Sequence, residues 1–383
     1  MLPNVITLLR ELIVLPSMSS TLPAFDQSNL AVIEQLAQWC ESLGFHCEIM
    51  PVASGKANLI ATLGSGNGGL VLSGHTDTVP YDTKKWTFDP FQLTEFEGKF
   101  YGLGTSDMKG FFALALTAAQ HFVGKPLKRP LILLATCDEE TTMAGAQALV
   151  DARKPHASRA LIGEPTGLKP VRLHKGIMME AIKIIGNSGH SSDPALGNNA
   201  LEAMHQVMGS ILNWRDELQQ KHQHSGFIVP VPTLNLGHIH GGDNPNRICG
   251  ECELHLDLRP LPNMKLKELR EELHFRVEQT LKEKGFKIEF FPLFSGIEAM
   301  ETSKHADIVK MTEKLTGYEA QSVAFGTEAP YLQQLGCETI ILGAGDIDQA
   351  HQPDEFLASN RIQPMIDILT RLIAHYCVEE HHV

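Results

Sequence analysis

Three short apolar runs, far apart in the chain, each lead directly into side chains that bind metal ions. Leu70-Val-Leu-Ser-Gly runs into His75-Thr-Asp77, Leu131 to Cys137 into Asp138-Glu139-Glu140, and Ala160-Leu-Ile-Gly163 into Glu164. A fourth, Ile340-Ile-Leu-Gly343, precedes a loop that reaches His351. Such runs, bounded by turn residues and alternating with helical patterns at about residues 4–15 and 28–43, read as strands of an α/β domain with a mostly parallel sheet. Ligands bind beyond the carboxyl ends of parallel strands, so the four loops are expected to converge.

A chain of 383 residues exceeds what one core usually holds, and two domains are expected. Between residues 177 and 293 the pattern becomes strand, helix, strand, strand, helix, strand, with strands at 178–185, 233–239, 248–258 and 287–292 and helices at 199–214 and 266–284. That order is the ferredoxin-like α+β unit. It reads as an insertion into an outer catalytic domain made of residues 1–176 and 294–383. An insertion of this type leaves a sheet edge or helical face for self-association, so a homodimer through it is expected.

The net charge of −13 would repel a phosphate backbone, and no basic stripe is interleaved with aromatics, so nucleic acid is not an expected partner. No stretch reaches the roughly 18 apolar residues of a membrane span, and the first residues carry no basic leader with a long apolar run. Seven cysteines form no paired framework and suit a reducing compartment, so a cytoplasmic protein is expected. Cys249-Gly-Glu-Cys252 lacks the second CxxC of a zinc knuckle.

Two histidines and several carboxylates at strand ends make a donor set that zinc accepts. A pair of zinc ions about 3.5 to 4 Å apart needs one bridging carboxylate and terminal ligands on each side. Asp107 as the bridge, His75 with Glu164 on one ion, and Glu140 with His351 on the other supply that set. Glu139 is then left without an ion, beside the water that the ions activate, and is the candidate general base. Asp77 is placed to accept the second N–H of the His75 ring. His190, in a Ser/Gly turn of the insertion, is the candidate oxyanion donor. Taken singly, each has an ordinary reading: Asp107 occupies a helix N-cap position, and most charged residues lie on solvated surface.

Taken together, Ser73-Gly-His-Thr-Asp-Thr-Val-Pro80, Gly104-Thr-Ser-Asp-Met-Lys-Gly110, Cys137-Asp-Glu-Glu140, Gly163-Glu-Pro165 and Ala350-His-Gln-Pro-Asp-Glu355 resemble the di-zinc family of aminoacylases, glutamate carboxypeptidases and desuccinylases, in that family's order. The resemblance implies a zinc-peptidase-like catalytic domain with an inserted dimerisation or lid domain. It implies His75, Asp107, Glu140, Glu164 and His351 as ligands, two zinc ions per subunit with cobalt as a substitute, and hydrolysis of a small N-acyl amino acid. It also implies a cis peptide after Asp107, and a histidine at the place of His190 that reaches the partner's site. A substrate carboxylate would want an arginine fork, and Arg259 is the candidate, with Asn246, Lys175 and Thr327 as further polar contacts. Each of these four reads equally as a strand-end or surface polar residue.

Rival readings are weaker. Gly64-Ser-Gly-Asn-Gly-Gly69 matches GxGxxG, but an apolar run follows where a helix should start, so it reads as a turn. No GxSxG elbow is present for a serine hydrolase. A non-catalytic metal-binding relative has no use for an unligated Glu139.

Overall fold

The computed structural model describes residues 2–378, and these divide into two compact units. The first comprises residues up to 172, 302–321 and those from 327 on; the second comprises 173–301 and 322–326.

The first unit is built on a mixed sheet in the order His46–Ala53, Lys56–Leu63, Leu131–Thr136, Leu70–His75, Arg159–Ile162, Glu338–Ile341, with Val171 added beyond the last. Its four central strands are parallel, and antiparallel strands flank them on both sides. Leu70–His75 and Leu131–Thr136 are buried at every position. Their continuous apolar character is what a parallel strand covered on both faces requires. Gly64 to Gly69 is the turn between two of these strands, four of its glycines having positive φ.

The helix Lys109–Gln120 is buried nearly all round, which is the mark of a helix inside a core. It packs between Val5–Ile13 and Ser359–Ile373, and Phe112, Leu116, Leu8, Leu12, Ile366 and Leu369 belong to one apolar cluster. Its start lies close to the sheet because Gly163 has no side chain. A Cβ there would meet the Phe111 ring at 2.1 Å. Phe111 therefore draws the Asp107 loop toward the strand end that carries Glu164.

The second unit is a four-stranded antiparallel sheet in the order Thr233–Gly241, Glu251–Arg259, Met178–Ile185, Lys287–Pro292. Helices Ala200–Lys221 and Leu266–Thr280 complete the β-α-β-β-α-β order. In Glu251–Arg259, Cys252, Leu254, Leu256 and Leu258 are buried while the residues between them face outward, the two-residue period of a sheet with one covered face. Cys249 lies just ahead of this strand rather than in it. The first helix runs to Lys221, seven residues beyond the expected end at Trp214. Leu218 extends its apolar stripe through an otherwise polar sequence.

Candidate metal centre

Side chains from five segments of the first unit meet at the carboxyl ends of its parallel strands. His75 ends its strand, and its Nε2 lies 3.0 Å from Asp107 Oδ1. The other oxygen of Asp107 faces His351, with Nε2 3.7 Å away. His351 Nε2 in turn lies 3.0 Å from Glu140 Oε2. His75, Glu139 and Glu164 offer donor atoms all within 4.8 Å of one another, and so do His75, Asp107 and Glu140. Asp107 thus presents one oxygen to each histidine.

Asp107 does not cap the helix that follows. Met108 is the N-cap residue and no side chain caps it, so the Asp107 carboxylate is turned into the cluster. The Asp107–Met108 peptide is cis.

The loop is held from behind by Glu355, which is almost fully buried. Its carboxylate accepts the main-chain N–H groups of Gly104, Ser106 and Asp107 at 3.1, 2.7 and 2.9 Å. Asp77 does the same for the opposite wall, accepting the N–H groups of Glu139 at 3.2 Å and Glu140 at 3.1 Å, and the Ser19 hydroxyl at 2.7 Å. The expected bond from the His75 ring to the Asp77 carboxylate is replaced. His75 Nδ1–H donates to the Asp77 main-chain carbonyl at 2.9 Å, while the nearest carboxylate oxygen is 3.7 Å away and engaged elsewhere.

The electrostatics fit a cation pair. Burial and the neighbouring carboxylates push Glu139 and Glu164 well above the usual carboxylate range, and Glu140 upward as well. Burial works against a charge on His75, yet Asp107, Glu164 and Glu139 outweigh it and hold the ring well above its ordinary value. The hydrogen bond that the His351 ring donates to the Glu140 carboxylate raises His351 to about 8. Four carboxylates face two imidazoles here, a surplus of negative charge that divalent ions would balance. Imidazole and carboxylate are also a donor set suited to zinc.

Three supporting residues escaped the sequence reading. Glu328 is buried beside this cluster, burial raises it to about 7, and it shares a hydrogen bond with the Thr136 hydroxyl at 2.9 Å. Its only sequence signal is a glutamate directly before an apolar helix. Lys56 has none, and Glu355 stands only as the last residue of the Ala350–Glu355 motif with no role attached, because the partners of both are distant in sequence.

Thr327 belongs to the first unit, is buried, and accepts the Ala329 N–H at 3.1 Å. His190, Asn246, Arg259 and Lys175 belong to the second unit. The His190 and Asn246 loops pair there: Ser191 donates to the Asn246 carbonyl at 3.1 Å and His190 bridges Arg247. Lys175 and Arg259 line a cavity of about 580 Å³ together with Phe227, Thr233 and Phe325. Both are already partnered, Lys175 Nζ to the Val231 carbonyl at 2.6 Å and Arg259 Nε to the Asp257 carboxylate at 2.9 Å.

Residues 71–375 match the model of peptidase family M20/M25/M40. The chain is 50% identical over 378 residues to the acetylornithine deacetylase of Pasteurella multocida, a span covering 98% of this chain and 99% of that one. It is 50% identical over 368 residues to the acetylornithine deacetylase of Aliivibrio salmonicida, covering 96% and 97%. Among solved structures, a tripeptidase from Staphylococcus aureus superposes with a TM-score of 0.75 at 19% identity over 97% of this chain and 98% of that one. A metallo-carboxypeptidase from Sulfolobus solfataricus does so with the same score and identity, over 98% and 99%.

Proposed function

Because the chain belongs to peptidase family M20/M25/M40, we propose that it hydrolyses N2-acetyl-L-ornithine to L-ornithine and acetate, a step of arginine biosynthesis. The observation that carries the chemistry is Asp107, whose two oxygens lie 3.0 and 3.7 Å from two different imidazoles. The substrate follows from relatives of 50% identity over nearly the whole chain that bear the name acetylornithine deacetylase.

In this reading two zinc ions would be held by His75 and Glu164 on one side and Glu140 and His351 on the other, with Asp107 shared between them, and cobalt could replace zinc. Ions bound there would polarise the acetyl carbonyl and make the attacking water more acidic. Glu139 takes the proton from that water as its oxygen attacks the carbonyl carbon, then delivers it to the departing amine nitrogen. Glu139 and Glu140 are neighbours that diverge, Glu140 toward His351 and Glu139 toward His75 and Glu164. That divergence supports separate roles for them. His190 donates to the tetrahedral oxyanion, and Arg259, Lys175, Asn246 and Thr327 bind the amino-acid portion.

The second unit serves as lid and dimerisation domain. Its outer strand Thr233–Gly241 leaves most of its residues exposed, which suits pairing with a second copy. Among the described residues no helix is long and apolar enough to cross a membrane, and all seven cysteines are unpaired. We place the reaction in the cytoplasm.

The test is turnover of N2-acetylornithine, N-succinyl-diaminopimelate and dipeptides, with added zinc or cobalt and after chelation. Highest kcat/KM on acetylornithine, abolished by chelation and restored by either ion, is expected. Preference for another substrate would reassign the specificity, and activity that survives chelation would end the metal-centred reading.

A further inference from the structure

Lys56 opens the strand Lys56–Leu63 and is 5% exposed. Its Nζ lies 2.7 Å from Asp138 Oδ1 and 2.8 Å from Asp26 Oδ1. Asp138 immediately precedes Glu139 and has a φ of 56°, a left-handed conformation that a non-glycine residue adopts only when its surroundings impose it. Its carbonyl accepts the N–H groups of Thr142 and Met143 at 3.1 and 2.8 Å, which closes the turn behind Glu139 and Glu140. Two residues further along the strand, Asn58 grips the same turn: its side chain accepts the Cys137 N–H at 3.1 Å and donates to the Gly145 carbonyl at 2.9 Å.

We propose that Lys56 is a positioning residue for the general base: the buried ammonium, steadied by Asp26, locks Asp138 in its left-handed turn and so aims the Glu139 carboxylate at the water. Among the described residues no other cation is paired with Asp138; Asp77 fixes the far side of the same turn through the amides of Glu139 and Glu140. Asp26 lies on the segment closed by Met18 and Gln27, where Gln27 N–H donates to the Met18 carbonyl at 2.8 Å, so the cation is held by a separate, self-braced loop. The proposal rests on Glu139 acting as the base. Among the described residues none of the proposed ligands is hydrogen-bonded or ion-paired to Lys56, so its influence on the base passes through Asp138.

The test measures metal content, kcat and KM of Lys56→Met. A misaimed base is expected to lower kcat about ten- to a hundredfold, with KM within about threefold of the parent and ion content unchanged. Lys56→Arg, which keeps the charge, is expected to recover most of the lost kcat, and Asp26→Asn to lower kcat about two- to fivefold in the same pattern. Unchanged kcat in a folded, metal-replete Lys56→Met protein overturns the proposal, as does a loss of ions in step with activity. Should Lys56→Met not fold, Asp26→Asn decides by the same measurements, and a parent-like kcat there overturns it. Failure of the base assignment itself is read separately, as substantial turnover in Glu139→Gln.

Discussion

Asp77 holds Glu140 by its main chain: Asp77 Oδ2 accepts the Glu140 N–H at 3.1 Å, while Oδ1 takes the N–H of Glu139 at 3.2 Å. The imidazole of His75 is oriented independently, by the Asp77 carbonyl. Asp77→Asn removes one acceptor from the turn and leaves the carbonyl in place. The expected result is a kcat lowered by one to two orders of magnitude, with the ion beside His75 retained. Metal analysis alongside steady-state kinetics checks it; loss of that ion would mean that the carboxylate orients the ring after all.

Glu139→Gln keeps the size of the side chain and removes its ability to take a proton. Turnover is expected to fall by about two to four orders of magnitude, the usual contribution of a general base, with near-normal ion content. Titration with zinc followed by single-turnover measurement separates the two quantities. Ion loss would move Glu139 into the ligand set, to which its distance from His75 and Glu164 is suited.

For His190→Ala, kcat is expected to drop about a hundredfold or more, as when one oxyanion donor is removed, with ion affinity unchanged. The side chain is exposed and its Nδ1 lies 2.8 Å from the Ser192 hydroxyl, so its loss removes little packing. Kinetics equal to the parent would exclude it from the reaction.

Acid sensitivity has a separate source in His174. Burial lowers this imidazole to about 4, against 6.5 for the free side chain, although the hydrogen bond from Nδ1 to the Lys175 carbonyl works the other way. The fold therefore favours the neutral ring. Its contribution is complete above about pH 6.5 and is lost as the pH falls from there toward 4, where the unfolded chain binds the proton first; the loss amounts to about 3 kcal/mol. His174→Gln is expected to lack this component. The informative quantity is the stability difference between the two proteins, followed by denaturant unfolding from pH 7 to 4. A difference that does not change with pH would refute the assignment.

The parts of the fold that announce themselves locally are those with a strong period or an unbroken apolar run. Leu70–His75 and Leu131–Thr136 were legible because parallel strands covered on both faces admit little else, and the metal-type side chains stand directly after them. The strand His46–Ala53 was not. It is an edge strand carrying Glu48 and Pro51 with no residue buried, and neither an unbroken apolar run nor a clean two-residue alternation marks it. The helix Ser359–Ile373 contains Pro364, which normally marks a boundary; at the sixth position it costs a main-chain hydrogen bond, and the buried face of Met365, Ile366, Leu369 and Leu372 carries the helix across it. Lys56, Glu328 and Glu355 were invisible for another reason. What gives each its importance is a partner 82, 192 or 248 residues away, and no local pattern encodes a hydrogen bond across that distance.

Glu355 lies near the end of the chain and grips the Asp107 loop near its first quarter. A ribosome that has made residues 1–340 has therefore produced every proposed ligand except His351, yet the loop bearing the proposed bridge still lacks the anion that gathers its amides. The proposed centre is therefore completed by the segment that carries His351 and Glu355, made 248 residues after the loop that Glu355 secures.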